Sequence, residues 1–178
     1  MFNNWFRTNK AAMLLLTIVR VYLGYEWLTA GWHKLTGGGF DASGFIKGAI
    51  AKSAGEGATV QAWWGSFLQH AALPGVDFFN FLVPAGEFLV GLGLILGTFT
   101  TFAALMGLVM NAAYLLSGTV STNVQLLLME VIIIVSAANA GKIGLDYFVL
   151  PYLRKLFHRK DTNTNVIRPA ATPLKRTV

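Results

Sequence analysis

Residues 11–35 read AAMLLLTIVRVYLGYEWLTAGWHKL, an apolar run interrupted in its interior by charge only at Arg20 and Glu26. At 1.5 Å per residue, such a run reaches about 37 Å as a helix, enough to cross ~30 Å of hydrocarbon. Three further stretches are comparable: 78–97 with Pro84 and Glu87, 101–117 with Asn111, and 123–140 with Glu130. No stretch alternates as a barrel strand would, and backbone in the bilayer core must satisfy its own hydrogen bonds. The expected fold is therefore all-α: a single four-transmembrane-helix bundle over residues 1–150, with spans at about 11–35, 78–97, 101–117 and 123–140.

Composition points the same way. The chain has 178 residues, 54% of them apolar and 12% charged, with no cysteine. That charge fraction is about half the ~25% usual in soluble domains. A disordered chain, a disulfide-stapled module and thiolate-held zinc or iron–sulfur are excluded. The net charge of +6 invites a nucleic-acid reading, but eight of the fourteen Lys and Arg lie at or after Lys142 and two in the first ten residues. Basic ends on a membrane protein predict both termini in the cytoplasm of a bacterial cell, a multi-pass chain, and no nucleic-acid partner. A cleaved signal peptide is disfavoured, because the apolar pattern resumes after Arg20 and no small-x-small site follows.

The connections suit this drawing. Gly97 ends one helix, and Thr98 or Thr100 is placed to cap the next. Residues 36–77 form the outer loop and hold Phe45, Ile46, Trp63, Trp64 and Phe67, too apolar for a structureless segment of that length. Short interfacial helices are expected there, with Trp63 and Trp64 as headgroup anchors. Residues 151–178 read as a cytoplasmic tail, basic and amphipathic at first and disordered after Asp161, and the stretch 147–160 suits an anionic inner leaflet.

The informative residues are the polar ones inside the spans, since an ion in hydrocarbon is normally paired or faces a cavity. Counted from the span ends, Arg20, Glu87 and Asn111 fall in a middle layer, and Glu26 and Glu130 in an outer one. Arg20–Glu87 then reads as an ion pair fixing two helices in register. Tyr22, Glu26 and His33 fall on one face of the first helix. Glu26, Glu130 and His33 are the candidates for proton exchange, because neighbouring buried carboxylates can hold a proton near neutral pH. His33 and Lys34 also suit an ordinary interfacial end, and His70 and His158 read as surface residues. No metal site is expected, and no two histidines face each other across the membrane as bis-His haem requires.

Three motifs resemble the DoxX-like and DoxD-like membrane proteins: R-x3-G-x6-G-x2-K at Arg20, Gly24, Gly31 and Lys34; PAGEFLVGLGLILGTFT at 84–100; and NAGKIGLDYF at 139–148. The resemblance spans about residues 11–150, and the long outer loop is similar to that of DoxD-type members. It implies a four-helix integral membrane protein in which Arg20, Glu87 and Asp146 occupy recurring positions. It also implies redox work, since some relatives are the membrane subunit of a thiosulfate:quinone oxidoreductase and others are partners of redox enzymes.

The resulting expectation is a membrane subunit of a quinone-linked oxidoreductase. Quinone is its cofactor, with no metal, haem or iron–sulfur cluster, and a small sulfur anion such as thiosulfate is its outer-face substrate. Its partners are the lipid bilayer and a second subunit or soluble redox protein. The alternative is a non-enzymatic scaffold anchoring a soluble redox enzyme.

Overall fold

The computed structural model describes residues 2–164 and the side chains of residues 4–155. The chain is helical, with no strand among the described residues. A short α1 (Phe2–Thr8) leads into α2 (Lys10–Thr36), whose first turn is capped by the Asn9 side chain accepting from the Ala11 and Ala12 amides. The 37–75 connection folds as α3 (Ser43–Ala51) and α4 (Ala62–Phe67), the latter continuing through a π turn at Leu68–Ala72. Then come α5 (Val76–Leu96), α6 (Thr100–Leu116), α7 (Asn123–Ser136), the single turn α8 (Ala138–Gly141) and α9 (Asp146–Thr164). Helix α9 thus runs three residues past the point where a disordered tail was expected, and the rest of that tail, 165–178, lies outside the described residues.

Two helices, α2 and α5, are long and apolar enough to cross a membrane; α6 and α7 are apolar but shorter. The expected fourth span, 123–140, is one residue run but two helices. Ala137 adopts a left-handed φ of 51° and ends α7. The N-terminal segment is bonded to this break: Arg7 Nε donates to the Val135 carbonyl at 3.1 Å, and Asn139 Nδ2 of α8 donates to the Phe6 and Asn9 carbonyls at 2.8 and 3.2 Å. The ordinary cost of an interrupted helix is offset by these bonds.

Glycine decides how the two long helices meet. They form the most extensive helix pair in the molecule. A Cβ on Gly24 would come 2.9 Å from the Ile95 amide nitrogen, and one on Gly31 would come 2.8 Å from Phe88 Cα. From the other side, a Cβ on Gly91 would lie 2.6 Å from Leu28 Cα. Small residues seven apart on α2 thus let the backbones touch, as transmembrane pairs commonly do. Pro84 is buried in the same interface and leaves α5 unbroken as a helix.

Burial is inverted relative to a water-soluble fold. Arg20, Glu87, Asn111, Glu130 and Asp146 are at most 5% exposed, whereas Leu14, Ile18, Phe81, Leu89, Phe102 and Leu128 are more than half exposed. So large an apolar surface belongs against lipid. A second, smaller core under the 37–75 connection is built from Ala42, Ile46, Ala49, Leu68 and Ala72, with Phe40, Trp64 and Phe79 against it. It is fastened to the bundle by the Ala42 amide donating to Asn80 Oδ1 at 2.7 Å and by Trp64 Nε1 donating to Ser117 Oγ at 2.9 Å.

Candidate functional site: polar clusters in the bundle

Arg20, Trp27 and Lys34 stand at intervals of seven on α2, two helical turns apart, so one stripe of the helix carries all three inward. Each is the foot of a separate polar cluster.

Nearest the 37–75 connection, Lys34 Nζ lies 2.5 Å from Glu87 Oε1, an ion pair that reaches into the bundle from the end of α2. The Tyr114 hydroxyl donates to the same oxygen at 2.8 Å. The Phe40 ring covers the ammonium at 5.3 Å, and Phe45 packs edge-on to Tyr114. Lys34 is therefore not merely an interfacial cation: its charge offsets a carboxylate that is 2% exposed. Glu87 Oε2 has no hydrogen-bond partner.

In the middle, Glu130 is fully buried. Its Oε1 accepts from Trp27 Nε1 at 2.8 Å and from Asn111 Nδ2 at 2.9 Å, and its Oε2 accepts from Asn111 Nδ2 at 3.0 Å. Gly107 makes room: a Cβ there would come 2.6 Å from Glu130 Oε1 and 3.1 Å from Trp27 Nε1. All of Glu130's hydrogen-bond donors are neutral. Asn111 Oδ1 is left without a partner.

At the opposite end of the bundle, Arg20 Nη2 donates to the Ile143 carbonyl at 2.7 Å, and the guanidinium lies against Gly97 and Gly144. A side chain at Gly97, where φ is +63°, would overlap the guanidinium itself. Asp146 faces Arg20 electrostatically. Its carboxylate also accepts from the Phe99 and Thr100 amides at 2.7 and 2.9 Å, so it caps α6 from 46 residues further along the chain. A carboxylate at a helix N-terminus satisfies amides that the helix itself leaves free and favours the dipole. The expected caps, Thr98 and Thr100, are not used.

These placements correct the layering read from the sequence. Arg20 and Glu87 do not pair: the first bonds to Ile143 and faces Asp146, the second bonds to Lys34 and Tyr114. Depths counted from the span ends assumed that all helices begin and end level. Helix α2 has 27 residues against 21 in α5 and 17 in α6, and Arg20 lies at the α5–α6 turn beside Gly97 rather than at mid-membrane. Asn111 and Glu130, assigned to different layers, are direct partners.

Glu26 and His33 are not brought to Glu130. Glu26 is one residue from Trp27, about 100° around the helix, so it falls on the flank of α2. It is half-buried and faces Tyr22, which is 47% exposed, and His33 is exposed. Tyr22 also lines a shallow, open groove on the outward face of α2, together with Thr17, Ile18, Val21 and Tyr25, all of that one helix. Sequence reasoning passed over Trp27, Lys34 and Tyr114 as partners. The signal for the first two was the seven-residue interval from Arg20; nothing local marked Tyr114. Among the described residues, no group of three His, Cys, Asp or Glu side chains is placed to hold a metal ion.

Neither the curated proteins nor the solved structures contain a significant match to this chain. The DoxX family model matches residues 15–119, which carry the α2–α5–α6 core with Arg20, Trp27, Lys34, Glu87 and Asn111. Since that is more than half of the chain, the protein belongs to the DoxX family.

Proposed function

We propose that this DoxX-family chain is a multi-pass membrane subunit of a quinone-linked oxidoreductase, with both termini on the cytoplasmic side of a bacterial membrane. In this reading α2, α5, α6 and the α7–α8 pair are the four spans, and α3 and α4 lie on the outer face. Helix α6, at 17 residues, is about 26 Å long, and residues 123–141 of the α7–α8 pair span a similar length, close to the hydrocarbon thickness.

The observation that carries the redox reading is the groove on α2. It lies on the exposed face of the helix, its wall is apolar apart from Thr17 and the hydroxyls of Tyr22 and Tyr25, and Glu26 stands one turn further on. A lipid-soluble ring with a hydrocarbon tail fits such a wall. Quinone would supply two-electron acceptance: with two electrons and two protons it becomes the quinol. Two thiosulfate ions coupling to tetrathionate release two electrons, and a partner subunit carries them to the groove. The chain's own residues handle protons. Tyr22 would hydrogen-bond the ring oxygen and pass it a proton as each electron arrives, and Glu26 would return a proton from water to Tyr22 each time, two protons in all. Glu130 has a different part: with Trp27 it sets the rotation of α2, and hence where Tyr22 and Glu26 point.

The test is quinone binding and turnover. Protein purified in mild detergent should retain extractable quinone, and in proteoliposomes it should support thiosulfate-dependent quinone reduction. Tyr22→Phe and Glu26→Gln should each cut turnover about 10²-fold, the usual contribution of a positioned acid or base, while leaving the fold intact. Absence of both bound quinone and turnover, or full activity in both variants, overturns the reading.

A further inference from the structure

A second groove, of about 380 Å³, lies between α8 and the start of α9, on the side of the molecule where Arg20 meets the α5–α6 turn. Lys142 and Arg154 line it, both exposed, along with Tyr147; Leu150 and Pro151 give it an apolar wall. Among the described residues the one acid lining it is Asp146. That carboxylate is 5% exposed, its two oxygens accept from the Phe99 and Thr100 amides, and it faces Arg20. Its charge is thus spent on the bundle, and the two cations that line the groove keep theirs for something else.

The surroundings say what that is. Helix α9 is tied to the bundle at its start, where the Leu145 amide donates to the Leu96 carbonyl and the Asp146 amide to the Gly97 carbonyl. Just beyond, Tyr147, Phe148 and Tyr152 are 64, 69 and 64% exposed. Aromatic side chains left open beside cations, at the level where a spanning helix ends, suit the headgroup region of a bilayer. A small soluble anion would use the cations and leave the aromatics without purpose.

We infer that the α8–α9 groove is a binding site for the phosphodiester headgroup of an anionic phospholipid. Lys142 and Arg154 hold the phosphate oxygens, Tyr147 donates a further hydrogen bond, and the acyl chains run along Leu150 and Pro151 toward the apolar surface of the bundle. Arginine and lysine are the usual charge-assisted partners of phosphate oxygens. The inference rests on the membrane placement proposed above and is independent of the quinone reading.

The experiment is a titration of the full chain in neutral detergent with short-chain phosphatidylglycerol, short-chain phosphatidylcholine and inorganic phosphate, with bound lipid counted by native mass spectrometry. The unmodified protein should take up phosphatidylglycerol and ignore the other two. The double variant Lys142→Ala/Arg154→Ala should bind phosphatidylglycerol about thirtyfold more weakly, the effect of two basic residues at an anionic lipid surface, with its melting temperature unchanged. Lys155→Ala, which removes an exposed cation outside the groove, should change binding less than about twofold. Equal loss in the double variant and in Lys155→Ala would mean diffuse attraction and overturn the inference. Uptake of inorganic phosphate as strong as that of the lipid would overturn the lipid assignment. Unchanged binding in the double variant would overturn the site.

Discussion

Glu130 accepts from an indole and an amide and has only neutral donors. The amide of Asn111 can turn over, because its Oδ1 is otherwise unpartnered. Turned, it would accept from a protonated carboxyl or from the amide of a glutamine at position 130. Glu130→Gln should therefore fold with a stability within about 1 kcal/mol of the parent, measured by thermal unfolding in detergent. Glu130→Leu strands the Trp27 and Asn111 donors and should lose about 1–2 kcal/mol, the upper range for polar contacts between membrane helices. Equal stability of the leucine variant would contradict the network. At this scale the sequence marked the buried polar residues by their cost in oil. Their partners were hidden, because hydropathy reports depth along a helix and says nothing of its rotation. The face chosen for α2 contained Tyr22, Glu26 and His33; the face that packs contains Arg20, Trp27 and Lys34, about 100° away.

Between elements, the α2–α5 contact depends on absent side chains. Gly91→Ala would push a methyl into the Leu28 backbone, which cannot yield without parting the helices; overpacking of this kind costs about 1–3 kcal/mol. Gly86→Ala meets only the flexible end of Met110, at 3.3 Å from the sulfur, and should be tolerated within about 0.5 kcal/mol. Thermal unfolding of the two variants side by side checks the pair, and the reverse order would contradict the packing. In the α3–α4 connection, Trp64→Phe removes the indole bond to Ser117 and should loosen the α3–α4 cap, read as faster limited proteolysis within residues 37–75 without loss of the bundle. Helix positions were legible here because apolar runs and glycine turns set them locally. The Asp146 cap of α6 and the break at Ala137 were not, since both are made by residues far along the chain: Asp146 in the first case, Arg7 and the Phe6 and Asn9 carbonyls beside Asn139 in the second.

For the whole molecule, a buried ionic interior wrapped in exposed Leu, Ile and Phe has its natural solvent in lipid. The four-span arrangement with cytoplasmic termini is the proposal that the basic ends support. The native chain lacks cysteine, so single introduced cysteines report sidedness without background. Glu56→Cys and Ser121→Cys lie on exposed positions of the α3–α4 and α6–α7 connections, Thr101→Cys beside the α5–α6 turn, and Lys155→Cys on α9. With a membrane-impermeant maleimide on intact cells, the account predicts labelling at 56 and 121 and protection at 101 and 155 until the membrane is permeabilised. Labelling of 101 and 121 from the same side would contradict it, because α6 would then not cross the bilayer and the Trp27–Asn111–Glu130 cluster would not lie within a membrane-spanning bundle.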